Sequence, residues 1–577
     1  MRNRLIAARA HGWNLAFIGL LCGAIFYWNL GLLPFYTRGE SREGLVVWEM
    51  VRTGDWILPA INGEYIPFKP PLFHWVGAVL SKFSGIVDEF TVRLPSALFG
   101  TFGVLLTYFA AAHFWNPRAG VIAAMVLATS TEWWNSALIA QVDMTLAFFI
   151  TAALLLFYAM YRGNRYGIAR SSLLAALLAC ATLSKGPLGI AVPVFVIIVF
   201  LAIRRDFEFF KKLHLLSGAV VFLLIAGSWY GTAGWHGGWA FFRRQILEEN
   251  IGTARGVWGH YQSYFYFFKV FFFNFAPWSL FVPSVVYFIY QRRRELFDFH
   301  LLFPLVWFLS VFLFFTLSFG KRGVYILPLY PAAALLFAAC WSSLERSEKT
   351  LRWLTAAITY IIAASVLIAF TVVVIAMLQD SGSRLFSVSK KLLAAARFVN
   401  SLEPFRPMAW GCIILFGLGP LMICWFLLQR KWNGALIALT VVVGASTIFL
   451  QITYYPAFAA VRTLKPFMLR VSQEVNPETP LFFYDWFDGS AIFYTHRHIP
   501  LYQQNVGVSP AAFLLMREEV WEQLSKTNSL TLIDVSEGGG PTGRHPLVLV
   551  KTSGKGPATP PSVSTTAQQV YDESTPE

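Results

Sequence analysis

Charge is what this 577-residue chain has least of. Asp, Glu, Lys and Arg make up 13% of it, against 56% hydrophobic and 17% aromatic residues. With a mean hydropathy of +0.55, that balance excludes a soluble globular protein and indicates a polytopic membrane protein. Acidic residues are scarcer than basic ones, 31 against 46, for a formal net charge of +15. The excess needs no nucleic-acid partner, because cytoplasmic loops of membrane proteins collect Lys and Arg. Cysteine is rare as well. All five (Cys22, Cys180, Cys340, Cys412 and Cys424) sit in apolar runs without CxxC or Cys/His spacing, which argues for small buried residues over redox or zinc roles. Walker A, GxGxxG and HExxH stretches are lacking, so cytosolic nucleotide chemistry has no support. No internal repeat is visible, which speaks against a transporter built from inverted halves.

What is present is a series of apolar runs. A bilayer-crossing helix needs about twenty mostly apolar residues. By that measure the spans fall near 13–33, 92–112, 118–136, 143–161, 168–184, 187–203, 215–233, 272–290, 301–318, 323–341, 354–377, 409–428 and 434–452, about thirteen in all. Arg2, Arg4 and Arg9 precede the first, and no small-residue cleavage site follows it, as in a retained signal anchor. With the N-terminus cytoplasmic, alternate loops should be basic. Arg162, Arg165 and Arg170 share one such loop; Arg204, Arg205, Lys211 and Lys212 the next; Arg292 to Arg294 another. Arg346, Lys349 and Arg352, then Arg430 and Lys431, complete the series. The C-terminal region is then expected outside.

The membrane region is expected to cover 1–454, with long outer loops at 34–91 and 234–271. In the first, Val46, Val47, Met50 and Val51 recur at helical spacing opposite Glu49 and Arg52, as in an interfacial helix. A second short helix is expected over 71–84, and a basic amphipathic one around Lys390 and Lys391. From 455 to 551 the composition becomes that of an outer α/β module. It is expected to have a helical stretch at 458–475, a strand at 481–485, a turn at Asp488-Gly489 and the short AIFYT segment at 491–495. A helix near 509–525 and strands at 529–535 and 546–551 follow. Residues 552–577, rich in Ser, Thr, Pro and Gly, are expected to be disordered.

An ionisable residue at the edge of a span is costly to desolvate and so invites a functional reading. Glu40 is either a general base or sugar ligand, or a loop acid paired with Arg38 or Arg42. Asp143, which opens the fourth span, is either a partner of Glu40 in acceptor activation or a helix N-cap. Lys69, held on an extended segment before Pro70-Pro71, suits an anionic lipid phosphate. Lys185, Lys321 and Arg322 break the positive-inside pattern; each either binds that phosphate or snorkels to headgroups. Arg42, Glu43, His74, His260 and Tyr325 are candidate substrate-binding residues; Arg255 either binds the phosphate or forms a loop salt bridge, and His260 is otherwise a structural histidine. A membrane-dissolved phosphate donor fits basic outer loops better than a nucleotide sugar does.

The run GESREGLVVWEMVRTGDWILPAINGEYIPFKPPLFHW (39–75) resembles the first extracytoplasmic loop of the bacterial lipid A aminoarabinose transferases. More broadly, it is similar to the C-type (GT-C) polyprenyl-phosphate-sugar-dependent glycosyltransferases that include the protein O-mannosyltransferases. DEFTVRLPSALFGT (88–101), QVDMTLAFF (141–149), LSKGPLG (183–189), NFAPWSLFVPS (274–284) and KRGVYILPLYPA (321–332) support the likeness, and YDWFDGSAIFY echoes it more loosely. The resemblance implies inverting transfer from a polyprenyl-phosphate sugar to lipid A, another envelope glycan or a protein. It places that transfer at the periplasmic face of a bacterial inner membrane. It matches Lys69 and Arg255 to phosphate ligands. The family's first-loop Asp-Glu is Gly39-Glu40 here, leaving the base to Glu40 or to a residue elsewhere such as Asp143. Its metal-binding positions are Phe68 and Asn250, so no cofactor is assigned, although a divalent metal stays possible. A polyprenyl-phosphate-binding protein without transfer activity, or a lipid or sugar transporter, is the alternative.

Overall fold

The computed structural model describes residues 2–63, 67, 69–245, 262–296, 300–378, 405–484, 487–502, 512–526, 530–540, 543 and 545–552. Phe68, Asn250, Arg255, His260, the Lys390–Lys391 segment and the tail beyond Thr552 lie outside the described residues.

The chain is a bundle of apolar helices carrying a small sheet at one end. The first nine helices are α1 (Arg2–Cys22), α2 (Arg38–Thr53), α3 (Leu72–Ser84), α4 (Glu89–Phe114), α5 (Pro117–Ala128), α6 (Thr131–Leu138), α7 (Val142–Gly163), α8 (Ile168–Lys185) and α9 (Leu188–Arg204). Their starts follow local chemistry. Asp88 Oδ1 accepts the Thr91 N–H at 2.9 Å while Thr91 Oγ1 accepts the Asp88 N–H at 3.0 Å, a reciprocal cap that opens α4. Asn116 caps α5, with Pro117 at the first helical position.

Eight helices among the described residues are long and apolar enough to cross a membrane, nine if the bent pair Tyr266–Asn274 and Trp278–Gln291 counts as one span. Four further apolar helices, at His11–Tyr27, Pro117–Ala128, Leu188–Arg204 and Leu302–Thr316, are shorter. Helix length alone therefore supports fewer crossings than the thirteen expected. The expected span 118–136 is one of those that shorten. Its helix ends at Ala128, and α6 starts afresh after Ser130. Thr129 Oγ1, which receives the Trp278 indole N–H at 3.1 Å, sits at that break.

The C-terminal sheet has four strands: β1 (Leu481–Phe483), β2 (Phe513–Arg517), β3 (Leu530–Val535) and β4 (Leu547–Thr552). Their order is β1-β2-β4-β3, with β1 and β2 parallel and the other pairs antiparallel. Two local expectations change. AIFYT is not extended; it belongs to a helix, Gly489–Thr495, whose first turn is capped by the Asp488 carboxylate. Tertiary burial of Ala491, Ile492, Phe493 and Tyr494 outweighs their β preference. Residues 513–517 form β2 instead of a helix, because Phe513 to Met516 are all buried between β1 and β4. The expected helical stretch 458–475 is two helices, Tyr454–Arg462 and Lys465–Glu474.

The amphipathic helix α2 forms as expected, and the C-terminal module covers its polar side. Leu45, Val46, Val47 and Met50 join Phe467, Phe483, Phe493 and Leu549 in one apolar core. The Asn62 side chain exchanges hydrogen bonds with the backbone of Ile499, both at 3.0 Å, and Glu49 accepts from His498 at 2.7 Å. The first loop and the module thus fold around each other.

Candidate active site

Glu40 lies in the first turn of α2, whose N-cap is Thr37. It is wholly buried. Its carboxylate accepts from Arg93 Nε at 2.7 Å, the Ala140 N–H at 3.4 Å and the Tyr36 N–H at 3.5 Å. Arg93, in α4, directs its remaining N–H groups to the carbonyls of Leu30, Leu33 and Pro34. The pair ties the end of the first span to α2 and α4. Glu40's partner is thus Arg93 and not the neighbouring Arg38 or Arg42.

One residue-turn on, Glu43 is buried between Arg42, at 3.0 Å, and His74 Nε2 of α3, at 2.5 Å. Burial works to raise its proton affinity, but the Arg42 and His74 charges and hydrogen bonds prevail and hold the carboxyl at about 2. His74 Nδ1 is buried without a hydrogen-bond partner among the described residues. Arg42, Glu43 and His74, expected as substrate binders, are therefore brought together by α2 and α3.

A second group gathers where α7 begins and α8 ends. Asp143, in the first turn of α7, receives the Lys185 Nζ at 2.5 Å. Lys185 is the last residue of α8. Gly186 follows with φ +73, a conformation that glycine adopts without strain, and Gly189 packs against the backbone of Ala181, where a Cβ would come within 2.2 Å. This tight turn into α9 fixes the lysine. Its ammonium sits 4.6 Å from the centre of the Tyr325 ring and feels the charges of Lys69 and Arg322. Lys69 lines a small cavity with Pro67, His74, Trp229 and Gln245, so it stands between the two groups. Three cations against Asp143 leave this place positive and suited to a phosphate. Lys321 turns elsewhere: its Nζ donates to the carbonyls of Ser318 and Gln262, and burial lowers its proton affinity.

Glu132 was hidden within the expected span 118–136. It lies beyond the helix end at Ala128, is 8% exposed, and accepts a hydrogen bond from Asn274 Nδ2 at 2.5 Å. Burial, with the nearby Asp143 charge, raises its carboxyl to about 7 against the lowering effect of Asn274. A lone acid inside an apolar run was the available signal. No group of three or more His, Cys, Asp or Glu side chains that could hold a metal occurs among the described residues. A phenylalanine at 68 has no donor atom, so the residues present do not fit the metal site that the resemblance implies.

A family model described as dolichyl-phosphate-mannose-protein mannosyltransferase matches residues 68–230. An uncharacterized protein of Aquifex aeolicus is 30% identical over 326 residues, 56% of this chain and 72% of that one. The undecaprenyl phosphate-alpha-4-amino-4-deoxy-L-arabinose arabinosyl transferase 1 of Pseudomonas fluorescens is 25% identical over 424 residues, 70% of this chain and 72% of its own. The chain spans 58 to 72% of the length of the curated relatives it matches, and 61% of the first of them. The crystal structure of ArnT from Cupriavidus metallidurans bound to undecaprenyl phosphate superposes with a TM-score of 0.75. It is 22% identical and covers 94% of this chain and 98% of that one, a match of fold. This is a multi-pass membrane protein, and it belongs to the GT-C membrane glycosyltransferase family, resembling its aminoarabinose transferases and protein O-mannosyltransferases.

Proposed function

We propose that this protein moves a sugar from a polyprenyl-phosphate donor to an acceptor at the periplasmic face of a bacterial inner membrane. The acceptor is lipid A or another envelope glycan, or a protein. The observation that carries the reading is the grouping of Lys69, Lys185 and Arg322 around Asp143 at the ends of apolar helices. A lipid phosphate presented at these helix ends would meet three cations. Relatives named as undecaprenyl phosphate-alpha-4-amino-4-deoxy-L-arabinose arabinosyl transferases support the same donor class.

The donor's phosphate is already a good leaving group. The protein must stabilise the charge that develops on it and orient the acceptor. Lys69, Lys185 and Arg322 do the first, with Tyr325 holding the lysine. Asp143 does the second while keeping Lys185 aimed. Glu40, with its oxygens engaged by Arg93 and two backbone N–H groups, positions the first loop. Arg42, Glu43 and His74 shape its wall; Arg255 and Lys321 add positive charge for the phosphate and His260 contacts substrate, within a membrane region at 1–454 followed by an outer module at 455–551 and a tail at 552–577. The basic loops support a cytoplasmic N-terminus and a periplasmic C-terminal module.

The test is sugar transfer in reconstituted vesicles, with a panel of polyprenyl-phosphate sugars, extracted envelope acceptors and a Lys69→Ala comparison. Transfer by the wild type that falls at least about tenfold in the variant is expected. Undecaprenyl phosphate binding without transfer would favour the lipid-binding alternative, and neither would return the problem to transport.

A further inference from the structure

We propose that Glu132 takes the proton from the acceptor, and hence that the acceptor is a hydroxyl, not an ionised phosphate. The inference rests on the transferase reading.

Most buried acids at this end of the bundle have a fixed cationic partner. Glu40 is tied to Arg93, Glu43 to Arg42 and His74, Glu49 to Arg52 and His498, Glu89 to Lys465, and Asp143 to Lys185. A carboxylate neutralised by a fixed cation is a poor proton acceptor. Two differ: Asp488, which caps its helix through Ser490, and Glu132, whose hydrogen-bond partner is a neutral amide, Asn274, and which has no cationic partner among the described residues. Nor is Glu132 a remote structural acid. α6 packs against α7, which carries Asp143, against the Gly323–Leu329 segment, which carries Tyr325, and against the helix Tyr266–Asn274.

The groups that face Glu132 are Asp143 from α7, Tyr266 and Asn274 from the helix before the bent span, Tyr330 and Tyr455. One is an anion, one an amide and three are phenols; the cations beside them are Lys185, which is bound to Asp143, and Arg322, which shares Tyr266 with Glu132. The Tyr330 hydroxyl, fully buried, has no hydrogen-bond partner among the described residues. The surroundings therefore favour a carboxyl that gains and loses a proton near neutrality, as general-base work requires.

The acceptor oxygen forms a bond to the anomeric carbon as the bond from that carbon to the phosphate oxygen breaks. The electron pair leaves with the polyprenyl phosphate, beside Lys69, Lys185 and Arg322. The acceptor's proton passes to Glu132 and then to water. An ionised phosphate acceptor brings no proton to remove and would leave Glu132 without a task. A hydroxyl is the nucleophile that the arrangement serves.

The experiment compares wild type and Glu132→Gln in the vesicle assay across pH, with undecaprenyl phosphate binding measured in parallel. Glutamine keeps the acceptor oxygen that Asn274 uses. The expected result is a fall in kcat of about 100-fold or more, donor binding unchanged, and loss of the wild-type acid limb near neutrality. Asn274→Ala, a second variant, removes a hydrogen bond that lowers Glu132's proton affinity, so its acid limb should move to higher pH. Transfer by Glu132→Gln within about threefold of wild type at every pH, or an unmoved limb in Asn274→Ala, would overturn the inference and leave the transferase reading standing. Wild-type protein that transfers nothing would overturn both.

Discussion

Two buried ion pairs stand a few residues apart in this fold, and they are built differently. In Glu40–Arg93 the guanidinium makes four contacts, one to the carboxylate and three to carbonyls of the segment 30–34. In Asp143–Lys185 the ammonium makes one hydrogen bond and rests on the Tyr325 ring, with like charges from Lys69 and Arg322 nearby. The first is nearly saturated; an arginine with four hydrogen bonds to fixed oxygens is an architectural element. The second brings cations together at a cost that only a further anion would offset. The position of charge in the chain does not separate the two; what each partner has left to give does.

The largest expected effect breaks the nearly saturated pair. Arg93→Met leaves the Glu40 charge buried and three carbonyls short of donors, and should destabilise the fold by about 3–5 kcal/mol. Denaturant titration of the detergent-solubilised protein reads this; a loss under about 1 kcal/mol would mean the pair is not a strut.

A smaller effect follows from Glu43, whose carboxyl sits at about 2 in the fold against an ordinary value of 4.5. Because the folded value is depressed, the stabilisation is complete above 4.5 and disappears as pH falls from there through about 2. Acid unfolding of the wild type should steepen in that window by about 2–4 kcal/mol. Glu43→Gln should flatten it, and an unchanged profile would show that Arg42 and His74 do not hold the charge.

The smallest effect on stability belongs to Lys185→Ala, below the roughly 3–5 kcal/mol of a fully enclosed pair, because the substitution also removes the repulsion from Lys69 and Arg322. Undecaprenyl phosphate binding should nonetheless weaken about tenfold or more, since a charge-assisted contact is lost. Strong destabilisation with unaltered binding would make the two pairs alike and end the contrast.

Much of this was readable from residues alone. The apolar runs, the basic loops, the helix over 71–84 and the strands at 529–535 and 546–551 follow from composition and periodicity, which act locally. Lys69 and Lys185 stood out because cations beside prolines and glycines at span ends need a reason. Glu132 did not stand out, because an unbroken apolar run reads as one helix. The break at Thr129 and Ser130 depends on Trp278, about 150 positions away in the chain. AIFYT failed for a related reason: aromatic and branched residues suit a strand, but the Asp488 cap and the buried seat against α2 make it helical.

The sequence by itself determined that the chain lies in a membrane, where its charged residues fall and which family it resembles. These depend on the solvation of each segment, and solvation is a property of local composition. The tertiary structure decided which acid meets which base: Glu40 with Arg93, Asp143 with Lys185, and Glu132 with a neutral amide. Pairing energies depend on distance and burial, and both are set only when helices far apart in the chain pack together.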